Sequence, residues 1–307
     1  MTRKTSHLEI EGHDLTVSNL EKVLYPEAGF TKGDVIRYFI DISPVLLPHL
    51  KSRPITMKRY PEGVNHFYFY EKNCPRYRPE WVSTTPVVSE RRGGTMNYCV
   101  VNNLASLVWM GNLADLELHT SLARAPAVDR PTMMVFDLDP GEGTNALQCA
   151  RVALRLRDKF DLLKLKSFPK TSGSKGIQLY VPLNHPAATF DMTKVASREI
   201  ADAVAREHSD EVVTNMLKSL RRGRVLIDWS QNDEHKTTVC VYSLRATPRP
   251  QVSTPLTWQE LERFLKRGDA DAFRFSPDDV RARVKKHGDL FEPVLKLKQK
   301  LPGVGKG

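Results

Sequence analysis

Thr132-Met133-Met134-Val135-Phe136-Asp137-Leu138-Asp139-Pro140-Gly141-Glu142-Gly143 is the stretch on which the reading of this chain turns. After Pro131, β-favouring and apolar residues run into two carboxylates and a Pro-Gly turn, the pattern of a buried strand emerging into a loop. Side chains alternate along a strand, so Asp137 and Asp139 share one face and Leu138 takes the other. Two carboxylates on one face repel each other. A hard divalent cation that prefers oxygen, Mg²⁺ or Mn²⁺, relieves that repulsion.

Other readings of a lone D-x-D carry equal weight at this point, the plainest being two solvated residues at a strand end. Haloacid-dehalogenase-type phosphatases use the same pattern but want Thr or Val soon after the second Asp, where this chain has Pro140-Gly141. Nucleotide-sugar glycosyltransferases use it to hold a metal-diphosphate, and the rest of the chain must decide against them.

The 307 residues suffice for one large compound domain or two small ones, and 40% apolar with 27% charged residues is ordinary for a globular protein. No repeat, signal peptide or membrane-length apolar run is present in the sequence. The polar start Met-Thr-Arg-Lys-Thr-Ser-His suggests a cytoplasmic location, and no membrane partner is expected. Cys74, Cys99, Cys149 and Cys240 are scattered without C-x-x-C or histidine spacing, which argues against zinc and a disulfide framework and for buried small hydrophobes. A net charge of +10 suits a polyanionic partner.

In chain order, Ser18-Asn19-Leu20-Glu21 reads as a capping box opening a short helix that carries Lys22 and stops before Pro26. Thr31-Lys32-Gly33-Asp34 reads as a second helix start. Both lysines then lie where helix N–H groups face outward, a setting for a phosphate, although two solvated lysines explain them as well. Pro54 to Pro61 is a strand with Lys58 near its end. His66-Phe67-Tyr68-Phe69-Tyr70-Glu71-Lys72 predicts a strand with two rings buried and two offered to nucleic-acid bases. Glu90-Arg91-Arg92-Gly93-Gly94 marks a basic hairpin. Met96–Val101, Leu116–Thr120, Leu165–Phe168, Gly176–Val181, Val225–Trp229 and Thr237–Tyr242 read as strands. Asn103–Leu113, the stretch from Gly143 to about Leu163, Met192–His208 and Glu211–Leu220 read as helices.

Lys170-Thr171-Ser172-Gly173-Ser174-Lys175 joins two of these strands with small hydroxyl residues, glycine and two lysines, a composition that wraps N–H groups and a cation around phosphate. It lacks Walker A spacing, and the Gly-Lys-Gly tail that mimics one has no helix to lead into. Val225-Leu226-Ile227-Asp228 supplies a third strand-end carboxylate, as a two-metal site requires. Basic Arg221 precedes it, and Gln231, Lys236 and Arg245 follow.

Taken together, V-F-D-L-D-P-G-E-G, T-S-G-S-K-G, I-D-W-S-Q-N, K-T-T and Y-S-L-R resemble the polymerase domain of the bacterial DNA ligase D family, in the archaeo-eukaryotic primase superfamily, which serves non-homologous end joining. The similarity runs from Asn19 to about Trp258. It implies an α/β (α+β) primase-polymerase fold with a central mixed sheet flanked by helices and an N-terminal helical and strand lobe. One compound domain over 1–307 is expected: a lobe with a 5′-phosphate pocket to about 60, a catalytic core from about 95 to 260, and surface helices beyond.

Carried over by position, Asp137, Asp139 and Asp228 would bind two Mn²⁺ or Mg²⁺ ions, one activating a primer 3′-hydroxyl and the other steadying the pyrophosphate. Lys58, Ser172, Lys175, Gln178 and Arg245 would hold the triphosphate of an NTP or dNTP. His119 would lie near its sugar, with a preference for ribonucleotides. Phe69 and Tyr70 would stack on nucleotide or template. Asn19, Lys22 and Lys32 would take the 5′-phosphate of a DNA end or gap, and Arg221, Gln231 and Lys236 would also touch DNA. Ku and a DNA ligase are the further partners implied.

Two positions depart from the family pattern. Gln178 stands where G-L-H has histidine, and Thr247 where Y-S-L-R-x-R has its second arginine. These leave open an end-bridging module with weak or lost synthesis. No K-x-D-G ligase motif occurs, so the chain reads as a stand-alone polymerase or a domain of a longer ligase.

Overall fold

The structure, a computed structural model, describes residues 4–89 and 93–301. The Glu90-Arg91-Arg92 part of the basic hairpin and the glycine-rich tail lie outside the described residues. The fold groups into two units, each discontinuous in sequence. One comprises Met1–Pro126, Thr237–Val252 and Ser276–Gly288; the other comprises Ala127–Lys236, Ser253–Phe275 and Asp289–Gly307.

The second unit carries the D-x-D strand at the centre of a mixed five-stranded sheet. Its order is Phe168–Thr171, Ile177–Pro182, Met133–Pro140, Val225–Asp228, Val212–Val213, antiparallel except for the last pair. Met134, Val135, Phe136 and Leu138 are buried, as a strand covered on both faces requires. The helix Ala146–Leu162 starts from an Asn145–Gln148 capping box and packs on this sheet through Cys149, Ala150, Val152, Ala153, Leu156 and Phe160. Phe136 and Phe160 meet with ring centroids 5.1 Å apart. Phe160→Ala would cost about 3–5 kcal/mol, since it removes contacts from both elements at once. Above Asp137, where the Val225–Asp228 strand ends, the buried Asn232 amide replaces it. Its Oδ1 accepts from Val135 N at 2.8 Å and its Nδ2 donates to Val135 O at 2.7 Å. The central strand therefore leaves no ladder group orphaned there.

The first unit is built on an antiparallel six-stranded sheet. Asp115–Thr120 lies between Thr238–Val239 and Pro54–Arg59, whose other edge takes Phe69–Glu71 and Gly94–Val100, with Thr84–Ser89 beyond. The helix Lys32–Leu50 begins at Thr31, whose hydroxyl accepts from Asp34 N while the Asp34 carboxylate accepts from Thr31 N. This is the expected second helix start, and such a cap contributes about 1 kcal/mol.

Several local expectations are corrected. Ser18-Asn19-Leu20-Glu21 forms a turn, with Asn19 at φ 52°, between the strands His13–Ser18 and Val23–Tyr25. Asn tolerates that left-handed conformation, and it removes Ser18 from a capping position. Only Phe69–Glu71 of the aromatic run is strand; Phe67, Tyr68 and Tyr70 are exposed and Phe69 is half-buried, so no ring there is core. The strand placed at Leu165–Phe168 forms at Phe168–Thr171, because Lys164 (φ 57°) turns the chain after the helix. The helix placed at Glu211–Leu220 is a short strand, Val212–Val213, followed by a 3-10 turn at Lys218–Leu220, as two β-branched residues favour. The strand at Thr237–Tyr242 shrinks to Thr238–Val239, ahead of Tyr242 at φ 65°. Cys74 and Cys99 form a disulfide with Cα atoms 4.9 Å apart, Cys74 lying in the loop after Phe69–Glu71, where its N–H donates to Asn97 O of the Gly94–Val100 strand; Cys149 and Cys240 are the buried free thiols expected of all four.

Candidate active site

In the second unit, register brings the carboxylates together. Asp137 pairs directly with Asp228 on one side and with Gln178 on the other. Directly opposed residues point to the same face, and Asp139, two along, joins them. One face of three adjacent strands thus carries Gln178, Asp137, Asp139 and Asp228.

The electrostatics match that crowding. Burial pushes the Asp137 carboxyl up, the Asp139 charge adds to it and Asp228 contributes further, against a Gln178 hydrogen bond and the Lys170 charge. The result is about 7 against an ordinary 3.8. Asp137 Oδ1 and Gln178 Oε1 are both buried acceptors without a hydrogen-bond partner among the described residues. Acceptors left without donors beside like charges suit a hard cation with oxygen ligands. Asp228 is more fully engaged. Its Oδ1 accepts from Ser230 N at 2.9 Å and Ser230 Oγ at 2.6 Å, and its Oδ2 accepts from Gln231 Nε2 at 2.8 Å. Among the described residues no three Asp, Glu, His or Cys side chains form a ready-made ion cage. Asp137 and Asp139 lie on the same strand face as Asp228, whose oxygens are already engaged by Ser230 and Gln231.

The Ser172 loop folds against the D-x-D strand. Ser172 Oγ accepts from Gly176 N at 3.1 Å and Ser174 N at 3.3 Å, around Gly173 at φ 71°. A Cβ on Gly176 would lie 2.2 Å from Leu138 O and 3.7 Å from Asp139 Oδ1, so only glycine lets the loop come this close to the carboxylates. Lys175 is exposed and lines a cleft of about 250 Å³ with Pro140, Thr144 and Arg274. Lys170 is fully buried, its Nζ donating to Ser253 Oγ at 2.5 Å and lying 5.5 Å from the Tyr180 ring.

Arg221, Gln231 and Lys236 also belong to this unit. Gln231 holds Asp228, and Lys236 Nζ donates to Ser230 Oγ at 2.5 Å, so both side chains serve the carboxylate's surroundings. Arg221 donates to Met216 O, and its turn clasps the D-x-D loop through Gly141 N to Arg224 O at 2.9 Å.

In the first unit, Lys58, His119 and Arg245 gather on one buried residue that sequence reasoning passed over. Glu117 is 2% exposed and stands opposite Lys58 in register, two residues from His119 on the same strand face. Lys58 Nζ lies 3.3 Å from both Glu117 oxygens, His119 Nε2 3.0 Å from Oε2, and Arg245 Nε 3.5 Å from Oε2. Ala246 N donates to Oε1 at 3.0 Å. Burial alone would raise the Glu117 carboxyl, but the His119 hydrogen bond and the Arg245 and Lys58 charges hold it well below the usual range. Burial lowers His119, the Glu117 bond opposes this, and the neighbouring cations leave it below its ordinary value. The alternation in Leu116-Glu117-Leu118-His119 was the signal available, since it puts Glu117 and His119 side by side.

The aromatic side chains frame this cluster. Lys58 Nζ sits 4.7 Å from the Tyr68 ring centre, 5.4 Å from Tyr60 and 5.5 Å from Tyr70. Tyr70 is 56% exposed and meets the His119 ring edge-on, and Phe69 packs on Arg59.

Asn19, Lys22 and Lys32 lie in the same unit but do not present two free ammonium groups. Lys22 Nζ bonds Glu62 at 2.6 Å. Lys32 is 6% exposed and donates to Asn112 O at 3.1 Å and Oδ1 at 3.0 Å.

Residues 31–291 match the family model for the LigD primase-polymerase domain. The chain is 39% identical over 286 residues to the multifunctional non-homologous end joining DNA repair protein LigD of Mycobacterium tuberculosis, covering 91% of this chain and 36% of that protein. It is 33% identical over 277 residues to the bifunctional non-homologous end joining protein LigD of Bacillus subtilis, covering 90% of this chain and 43% of the relative. The chain thus spans less than half the length of these curated relatives. The solved polymerase domain of Mycobacterium tuberculosis ligase D, in complex with DNA, superimposes with a TM-score of 0.85 at 38% identity, covering 93% of this chain and 99% of that one. The chain belongs to the LigD primase-polymerase family, and as a primase-polymerase it is a nucleotidyltransferase.

Proposed function

We propose that this protein extends primer 3′ ends at DNA breaks or gaps, in end joining or gap repair, with Mn²⁺ or Mg²⁺ and a preference for ribonucleotides. The observation that carries the reading is the register placing Asp228 and Gln178 on either side of Asp137, with Asp139 on the same face. Asp137, Asp139 and Asp228 would hold the cations, which when bound supply activation of the 3′-hydroxyl and charge for the leaving pyrophosphate. Gln178 orients Asp137, while Ser230 and Gln231 hold Asp228 in place. Lys58, Ser172, Lys175 and Arg245 are assigned to the triphosphate from their positions in the family pattern, and His119 to the sugar. A +10 chain carries the DNA contacts, with Phe69 and Tyr70 for bases and Lys22 for a 5′-phosphate. A DNA ligase and Ku are the partners that such an activity would need. The names of the relatives, and the DNA in the solved neighbour, support this reading.

Primer extension on gapped DNA with Mn²⁺ and each NTP or dNTP tests it, beside Asp139→Ala. The wild-type chain should extend and the variant should not, while DNA affinity changes little because it rests on Lys and Arg. A wild-type chain that bridges ends without extending them would replace the polymerase reading with an end-binding one.

A further inference from the structure

The Glu117 cluster has a feature that the polymerase reading does not use. His119 Nε2 faces the Glu117 carboxylate at 3.0 Å, and among the described residues Nδ1 has no hydrogen-bond partner. The carboxylate is ringed by donors on every side: Lys58 from the opposed strand, Arg245 and the Ala246 N–H from the chain beyond, and the Tyr60 hydroxyl at 3.4 Å. A carboxylate so surrounded stays ionised and only accepts, so the His119 nitrogen facing it must be the N–H donor. A neutral imidazole has one donor and one acceptor, and the acceptor is then Nδ1.

We propose that Glu117 is a positioning residue that fixes His119 as the Nε2–H tautomer, so that Nδ1 accepts a hydrogen bond from a ribose 2′-hydroxyl. The inference rests on the assignment of His119 to the sugar and adds the direction of the bond and the residue that sets it. Several features fit. His119 is held low by burial and by Lys58 and Arg245, so the ring stays neutral and keeps its acceptor. Tyr70 packs edge-on to the ring with centroids 6.0 Å apart, and Thr56 and Val239 stand opposite His119 on the flanking strands; none of these ionises near neutral pH. The His119 side chain is 14% exposed, enough for one small group to reach it. A deoxynucleotide has no 2′ donor to offer.

The test separates donors from acceptors at the 2′ position. Nucleotide KM is measured in primer extension with 2′-hydroxyl, 2′-amino, 2′-fluoro and 2′-hydrogen triphosphates. One neutral hydrogen bond gained or lost is worth roughly tenfold in affinity. The hydroxyl and amino forms should therefore have KM values about tenfold below the fluoro and hydrogen forms, with kcat little changed. In the nucleotide-free wild-type chain, ¹⁵N NMR should show Nε2 of His119 protonated, the signal being assigned by its loss in His119→Gln. In Glu117→Gln the amide oxygen stays with the Ala246 N–H and Lys58, and the NH₂ group turns to His119. That forces the opposite tautomer, so Nδ1 becomes the protonated nitrogen and the gap between hydroxyl and fluoro forms narrows severalfold.

A wild-type His119 protonated on Nδ1 overturns the proposal, as does a 2′-fluoro nucleotide that binds as tightly as the hydroxyl. A Glu117→Gln protein whose tautomer and 2′ pattern match wild type also overturns it; should that variant not fold, the wild-type spectra and 2′ series decide alone. A wild-type chain that extends nothing brings down the polymerase reading and the inference with it, and is recognised by failing with every triphosphate. A chain that extends with no 2′ preference overturns only the assignment of His119 to the sugar and what rests on it.

Discussion

Asp137→Asn should make the metal-free protein more stable, and the gain should depend on pH. The folded Asp137 carboxyl titrates at about 7 and the unfolded one at an ordinary 3.8. Between these values the folded chain holds a proton that the unfolded chain has released, so stability falls as pH rises. Below about 4 the group contributes no penalty, and above 7 the full penalty is in place. At about 1.36 kcal/mol per pH unit the whole interval corresponds to roughly 4 kcal/mol. Solvent at the open face screens the charge and reduces this to about 2 kcal/mol. Asn cannot ionise, yet its amide oxygen still accepts from Gln178, so the variant removes the repulsion and keeps the bond. Urea denaturation of both proteins in EDTA from pH 4 to 8.5 measures the difference, which should grow through this window and level off above 7. Mn²⁺ at about 100 times its Kd should return about 2.7 kcal/mol to wild type and much less to the variant. A stability difference that is flat with pH in EDTA would refute the reasoning, because the carboxylates would then not be repelling one another.

Further outcomes follow from other contacts. Gapped DNA with a 5′-phosphate should bind more tightly than the same DNA with a 5′-hydroxyl, and Glu62→Gln should widen the gap two- to threefold by releasing Lys22; equal affinities for both ends in a fluorescence titration would take Lys22 off the phosphate. Lys32→Ala should lower stability by about 1 kcal/mol in chemical denaturation, since it removes the donor to Asn112 O and one of the donors to Asn112 Oδ1, which keeps the Ser18 N–H. Cys74→Ser should cost about 3 kcal/mol under oxidising conditions and little in excess reductant, from the 25-residue separation it closes. Gln178→His should draw the Asp137 titration downward below about pH 6, where the imidazolium donates a charged bond; an unchanged Asp137 carboxyl signal in NMR across that range would mean residue 178 does not face it.

How much of this was legible in the sequence differs from residue to residue. The D-x-D strand, the helix start at Thr31, the helix after Gly143 and the strands at Ile177 and Val225 carry local signals, namely apolar runs, amphipathic spacing and turn residues, and they form where expected. Ser18-Asn19-Leu20-Glu21 failed because a capping box and a turn share a composition, and the φ of Asn19 decides between them. The disulfide was not legible because it depends on the loop after Phe69–Glu71 lying against the Gly94–Val100 strand, a long-range fact. Lys32, Gln231 and Lys236 were placed at DNA by the family resemblance, and their contacts within the protein were not legible. Whether a side chain reaches outward or finds Asn112, Asp228 or Ser230 depends on packing that no window of sequence contains. Glu117 was within reach, since strand alternation pairs it with His119, but its importance comes from Lys58 and Arg245 on other elements.

Gln178 shows how register turns a substitution into a statement about charge. Read by position alone, it belongs with the triphosphate, in place of a histidine. In the sheet it lies in one transverse row, Gln178–Asp137–Asp228, where its amide is the neutral donor to a carboxylate that repels its neighbours. A histidine in that row could carry a proton of its own and offset part of the negative charge, whereas glutamine orients Asp137 and leaves the charge uncompensated. The row thus has a deficit of positive charge, and its buried acceptors, Asp137 Oδ1 and Gln178 Oε1, have no donors among the described residues. Two further groups moderate the deficit without removing it: Lys170, buried and bonded to Ser253, acts on Asp137 through its field, and Ser230 with Lys236 behind it holds Asp228. On the function proposed above, such a row is least stable without its cation above about pH 7 and gains most from binding one. That is the condition under which metal affinity and folding stability become the same measurement.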